Sequence, residues 1–148
     1  MMKKILFVCH GNICRSPMAE YIMKNLLAKS GRKDVLVESA AATEDAVGSP
    51  MDPRTTRVLE KNNVPYVQRH ARKMTKDDYQ NYDYLICMDE ENFMDMNRIT
   101  GGDPDRKEYK LMQFANKNSD VEDPWYTNDF DTAYDEILMG CKALLEKI

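Results

Sequence analysis

The sequence has no Cys-x-x-Cys pair and only two histidines, His10 and His70, so its four cysteines lack the spacing of a structural zinc site. No apolar run approaches the ~18 residues that a membrane span needs. The stretch Ile5 to Val8, behind Lys3 and Lys4, is also too short for a secretory signal. Glycine and proline are scarce, six of each and scattered, which excludes collagen-like and low-complexity chains. No long basic stretch offsets the net charge of -4, which speaks against a nucleic-acid partner. Without an export signal, an even cysteine count reads as reduced thiols, and a cytoplasmic protein is expected. What remains, 148 residues with 43% hydrophobic and 31% charged, suits one soluble domain with a real core and no membrane association.

Along the chain, strand-like and helix-like segments alternate. Ile5 to Val8 form an apolar run of strand length, suited to burial on both faces. Ser16-Pro17 reads as an N-cap followed by the first helical residue, and Gly31 closes that helix. Val35 to Val37 predict a second strand, and Asp52-Pro53 opens a helix reaching about Asn62. A short helix is expected from Thr75, with Asp78 as a weak capping box. Tyr84 to Met88 predict the third strand, and Asp89 caps the helix carrying Phe93, Met96 and Ile99. Tyr109 to Phe114 suggest a fourth strand, a polar loop runs through Asp123-Pro124, and Phe130 to Ile148 keep helical spacing to the end. Cys87, in an apolar run, and Cys141, on the last helix face, read as core residues. Four alternations imply a single-domain α/β protein: an open, doubly wound, parallel four-stranded sheet with helices on both faces. Ligands of such folds sit beyond the carboxyl ends of the strands, where the loop after Val8 lies.

That loop, from Cys9 through His10, Gly11, Asn12, Ile13 and Cys14 to Arg15 and Ser16, joins a buried strand to a helix start. Its N–H groups and the helix N-terminus can converge on one anion. Gly11 permits a tight turn, and Arg15 offers a fork for two phosphate oxygens. Cys9 places a thiol in the same cradle. A strongly activated thiolate needs a preference of about 5 kcal/mol. A helix N-terminus supplies up to ~2 kcal/mol and each hydrogen bond to a charged group ~1.5–3 kcal/mol, so two or three loop donors suffice. A thiolate placed for in-line attack on phosphorus is the expectation.

The string Val8-Cys9-His10-Gly11-Asn12-Ile13-Cys14-Arg15-Ser16-Pro17 resembles the signature of the low-molecular-weight protein tyrosine phosphatases. Ser39-Ala40-Ala41, Cys87-Met88-Asp89-Glu90 and Asp123-Pro124-Trp125-Tyr126 stand at similar positions, so the resemblance spans residues 1–148 as one phosphatase domain. It implies hydrolysis of phosphotyrosine and small aryl phosphates through a phosphocysteine, with Cys9 as nucleophile, Arg15 as phosphate clamp and Asp123 as general acid and then base. It further implies that Asn12, Ser16, Ser39 and His70 form the polar network that shapes the loop, and that Ser16 donates to the sulfur. Cys14 is implied as the partner that traps oxidised Cys9 as a disulfide before irreversible oxidation.

Asp123 makes independent sense, since a departing phenolate needs a proton and one positioned acid contributes about 10²–10⁴ in rate. The following proline restricts Asp123 to an extended backbone. Trp125 and Tyr126, beside a polar loop, suit the walls of a slot for a flat ring. No metal or other cofactor is called for, because Arg15 and the backbone carry the positive charge. Expected partners are a phosphotyrosine protein as substrate and inorganic phosphate as product, with the protein acting as a monomer. At the rim, Thr43 to Val47 has no aromatic but carries Glu44 and Asp45, which would disfavour acidic phosphopeptides. Three relatives of the same architecture fit less well. Arsenate reductases use two further cysteines close together, whereas Cys87 stands alone. Arginine phosphatases characteristically carry Thr at the position of Ile13. Phosphoryl-carrier domains of sugar transport need neither Arg15 nor Asp123. A phosphate-binding module without catalysis would need no thiol.

Overall fold

A computed structural model describes residues 2–148. Strand β1 (Lys3–Cys9) is buried from Ile5 onward and lies in the sheet interior, as its continuous apolar run requires. It pairs on one side with β2 (Val35–Ala41) and on the other with β3 (Tyr84–Cys87), and β3 pairs with β4 (Glu108–Lys110). All pairs are parallel and the order is β2-β1-β3-β4. The period-two alternation sends Ile5, Phe7 and Cys9 to one face, Leu6 and Val8 to the other.

The first face is covered by α1 (Arg15–Lys29), α2 (Pro53–Lys61) and α6 (Phe130–Lys147), through Met18, Ile22, Leu59, Ile137 and Leu144. The second packs against α3 (Asp78–Asn81) and α4 (Glu90–Thr100), through Tyr79 and Met96. The doubly wound architecture expected from the sequence is therefore present. No described helix is long and apolar enough to cross a membrane.

Connections from β1 leave toward β2 and those from β3 toward β4, so a crevice opens between β1 and β3 at their carboxyl ends. Asp52 caps α2 by accepting from the Arg54 N–H at 2.8 Å, and Asp89 caps α4 by accepting from the Asn92 N–H at 2.8 Å. Asp78 also accepts from the Thr75 N–H at 2.8 Å, although regular helix begins only at Asp78.

Three local expectations are corrected. Ser16 is not an N-cap: α1 begins at Arg15 behind Cys14, and the Ser16 hydroxyl is directed at Cys9. The fourth strand is only Glu108–Lys110, after which Leu111–Ala115 coils into a 3-10 helix that ends at Asn116 in the left-handed region. The Gln113 side chain accepts from the Lys110 N–H at 3.0 Å, which draws the chain off the sheet edge. The loop at Asp123-Pro124 contains a short helix, α5 (Pro124–Thr127). The 3-10 helix rests on α6 at Gly140, where a Cβ would lie 2.5 Å from Leu111 Cγ.

Candidate active site

The crevice is a cavity of about 380 Å³. Its floor is the loop between β1 and α1, represented by Cys9, His10, Gly11, Ile13, Cys14 and Arg15. Asp45, Ala46 and Ser49 line one side, and Asp123, Trp125 and Tyr126 the other. Residues widely spaced in sequence thus meet around one cavity.

The floor is shaped by turning its carbonyls outward. The Cys9 carbonyl accepts from the Ala42 N–H at 2.8 Å, and the His10 carbonyl from the Thr43 N–H at 3.2 Å. The Ile13 carbonyl accepts from the Asp52 N–H at 3.0 Å and from the Thr55 hydroxyl at 3.2 Å. None of these donors lines the cavity, so the N–H of each following residue faces the opposite way, into it. Asn12 makes the sharpest bend, with φ of 60°, a left-handed conformation that costs an ordinary residue roughly 1–2 kcal/mol. Its fully buried side chain offsets this by donating to Ser16 Oγ at 2.8 Å and Ser39 Oγ at 3.0 Å.

Cys9 is nearly buried, with its Sγ 3.0 Å from Ser16 Oγ and 3.3 Å from the Ser16 N–H that donates to it. Ser16 Oγ accepts from Asn12, and its own proton has two acceptors in reach, the sulfur at 3.0 Å and the Ala40 carbonyl at a longer 3.5 Å. Starting α1 one residue early makes this contact: Ser16 sits in the first turn, where N–H groups have no helical partner.

Arg15 is almost fully buried. Its Nη1 bonds Asp89 Oδ2 and the Val121 carbonyl, each at 2.7 Å, and its Nη2 lies 3.4 Å from Asp123 Oδ2. Asp89 comes from the end of β3, so the pair spans the crevice. Burial works against the charged guanidinium, but the negative charges of Cys9, Asp89 and Asp123 outweigh it and hold its proton more tightly than usual. Nε is buried without a hydrogen-bond acceptor among the described residues. Asp123 caps α5 by accepting from the Trp125 N–H at 3.1 Å, in the extended backbone expected before proline.

Trp125 and Tyr126 are 54% and 82% exposed and stand at the mouth. Arg54 steadies the first of them. Its guanidinium is 5.3 Å from the Trp125 ring centroid and 4.6 Å from that of Phe130, while Asp52 accepts from its Nη2 at 2.8 Å. At the opposite rim Asp45 Oδ2 is 2.6 Å from His10 Nε2. Cys14 is buried in the loop with its Sγ 3.9 Å from Asp52 Oδ2, and burial, then the charges of Cys9 and Asp52, pushes its thiol far up.

His70, expected in the loop network, is exposed; its backbone bridges to Pro50 instead. The neighbouring Arg69 reaches Asn12 and Ser39 in its place. The sequence reading also missed Glu20, which accepts from Ser39 Oγ at 2.6 Å, and Asp89 as the partner of Arg15. Asp89 was legible as a helix cap and as part of a family-like string, but not as the partner of Arg15. Only the known position of the loop would have shown what else its carboxylate meets.

A family model described as low molecular weight phosphotyrosine protein phosphatase matches residues 4–148. This chain belongs to the low molecular weight phosphotyrosine protein phosphatase family. The phosphatase is 38% identical over 152 residues to the low molecular weight phosphotyrosine protein phosphatase of Gallus gallus, covering 99% of this chain and 96% of that protein. Among solved structures it is similar to YfkJ from Bacillus subtilis, with a TM-score of 0.95, 34% identity, and coverage of 100% of this chain and 95% of that one. It is also similar to DARP, a drosophila arginine phosphatase, with a TM-score of 0.89, 29% identity, and coverage of 97% and 96%. The family assignment makes the phosphatase an enzyme, a hydrolase of the cysteine-based tyrosine phosphatase type.

Proposed function

We propose that residues 1–148 act as one domain that hydrolyses phosphotyrosine in proteins, with Cys9, Arg15 and Asp123 as the catalytic residues. The reading is carried by one observation: Ser16 directs both its hydroxyl and its N–H at Cys9 Sγ on the floor of a cavity that Arg15 and Asp123 also line. The phosphoryl group rests on the N–H groups of the loop, and Arg15 supplies the buried Nε and Nη2 to its oxygens. Cys9 thiolate attacks phosphorus in line, the P–O bond to the phenol breaks, and Asp123 delivers its proton to the leaving oxygen. Asp123, now a carboxylate, takes a proton from water as that water attacks the phosphocysteine. The P–S bond breaks, inorganic phosphate leaves, and Ser16 stabilises the departing thiolate by its two donors.

Trp125 and Tyr126 form the walls of the slot for the aromatic ring, and a slot between such walls favours tyrosine over shorter phosphorylated side chains, which would not bring their phosphate down to Cys9. At Ile13 the loop offers an apolar side chain, which suits an aryl ester better than a phosphoguanidinium. Cys14, in the same loop, is the partner that captures oxidised Cys9. Steady release of phosphate from a small aryl phosphate tests the reading. Turnover is expected to vanish in Cys9→Ser and to fall about 10²–10⁴-fold in Asp123→Asn. A Cys9→Ser variant that keeps releasing phosphate would overturn it.

A further inference from the structure

Behind the phosphate loop lies a charged network that the chemistry above does not use. Arg69 is half-buried in the extended segment between α2 and α3 and does not line the cavity. Its Nη1 donates to the Asn12 carbonyl at 2.7 Å, and its Nη2 donates to Asn12 Oδ1 and, at 3.5 Å, to Ser39 Oγ. Ser39 donates onward to Glu20 Oε1, and Glu20 pairs with Lys24 at 2.6 Å. Burial pulls the proton affinity of Arg69 down, and Glu20 leads the charges that oppose this, so Glu20 serves as its counter-ion.

A trans peptide holds its C=O and the following N–H on opposite sides. The Asn12 carbonyl is turned away from the cavity to Arg69, so the Ile13 N–H is turned toward the cavity that Ile13 lines. The carbonyls of Cys9, His10 and Ile13 are held the same way by backbone and hydroxyl donors. Asn12 differs, because a charged fork holds its main-chain and side-chain oxygens together, at the residue with the left-handed bend. We infer that Arg69 is a positioning residue for hydrolysis, locking the Asn12–Ile13 peptide so that the Ile13 N–H faces the phosphoryl oxygens. The inference rests on reading the loop as a phosphate cradle.

Wild type, Arg69→Met and Arg69→Lys are compared on a small aryl phosphate, with inorganic phosphate as competitive inhibitor, well below each unfolding midpoint. Loss of an oxyanion donor slows turnover ~10²–10³-fold, and a peptide left free to turn retains part of that effect. Arg69→Met is therefore expected to lower kcat by about 10-fold or more and to raise the Ki for phosphate comparably. Arg69→Lys keeps a donor for the Asn12 carbonyl and is expected to recover much of both. A Met variant within about two-fold of wild type in kcat and Ki overturns the inference. A loss that Lys leaves unrelieved overturns it too, since packing rather than the donor would then be responsible. If Arg69→Met does not fold, amide spectra of wild type decide: the Ile13 N–H is expected to shift on titration with phosphate, and an unmoved resonance overturns the inference. A wild type that binds phosphate at Ile13 but releases none from the ester would instead sink the phosphatase reading and leave the peptide's orientation standing.

Discussion

Neutralising Asp89 would reveal how the protein carries the buried guanidinium of Arg15. The two side chains are 18% and 2% exposed and meet at 2.7 Å, where water screens little. Removing one partner of a buried ion pair costs ~3–5 kcal/mol. Asp123 and the Val121 carbonyl remain beside the guanidinium, which puts Asp89→Asn at the lower end, ~3 kcal/mol. Asparagine keeps a side-chain oxygen for the Asn92 N–H, whereas Asp89→Ala loses the helix cap as well, about 1 kcal/mol more. Either loss is large against a total stability of ~5–15 kcal/mol. The assay is urea unfolding at pH 7, followed by far-UV circular dichroism, with and without inorganic phosphate. Ligand at one hundred times its Kd stabilises a protein by about 2.7 kcal/mol. In Asp89→Asn the anion also replaces the missing negative charge, so its stabilising increment is expected to exceed that in wild type. An Asp89→Asn variant that unfolds at the wild-type urea concentration in phosphate-free buffer would refute the reasoning. So would a phosphate increment smaller than wild type's.

Four further outcomes are expected. The Cys14 thiol, pushed up by burial and then by Cys9, stays protonated at neutral pH, so brief iodoacetamide treatment should label Cys9 and spare Cys14 on peptide mapping. Cys14→Ser should turn over substrate normally yet recover less activity than wild type when peroxide is followed by a thiol reductant. For Asp52, burial raises the carboxyl but hydrogen bonds and charge from Arg54 outweigh it and leave it below its ordinary value. A depressed folded value gives stability that is present above the unfolded value near 3.9 and disappears as pH falls through the folded one. The acid limb of urea midpoints below about pH 5 should therefore be flatter in Asp52→Asn than in wild type. Finally, Asp45→Lys at the rim should raise kcat/KM for acidic over basic phosphopeptides by up to about five-fold, an effect that added salt removes. An unchanged ratio would mean that the charge of Asp45 plays no part in choosing between peptides.

The sequence made the fold legible wherever a local rule and a tertiary demand coincided. Ile5 to Val8 look like a strand buried on both faces because every residue there is apolar, and Asp52-Pro53 and Asp89 cap helices by contacts within three residues of themselves. The phosphate loop was legible for the same reason: strand, thiol, arginine and helix start follow one another in the chain. Legibility ended where the partner comes from elsewhere. Nothing near Arg69 in sequence says that it reaches back to Asn12, and the family resemblance pointed instead to the histidine beside it. Ser16 misled because a serine before proline has the look of a cap, while in the folded protein its hydroxyl has a stronger claim on it from Cys9. The end of β4 was misplaced because Tyr109 to Phe114 is rich in apolar and aromatic residues with no breaker among them, but the local Gln113–Lys110 contact favours a tight coil.

The seat of Leu111 on Gly140 reaches further than its place at the back of the molecule suggests. From Leu111 the chain runs to Val121, whose N–H donates to the Met88 carbonyl and whose own carbonyl receives Arg15, and two residues later it delivers Asp123. A methyl group on Gly140 would overlap the Leu111 side chain and push it off its seat, at the head of the segment that carries Val121 and Asp123. One missing carbon atom on α6 thus leaves room for the side chain from which the crevice-lining segment sets out.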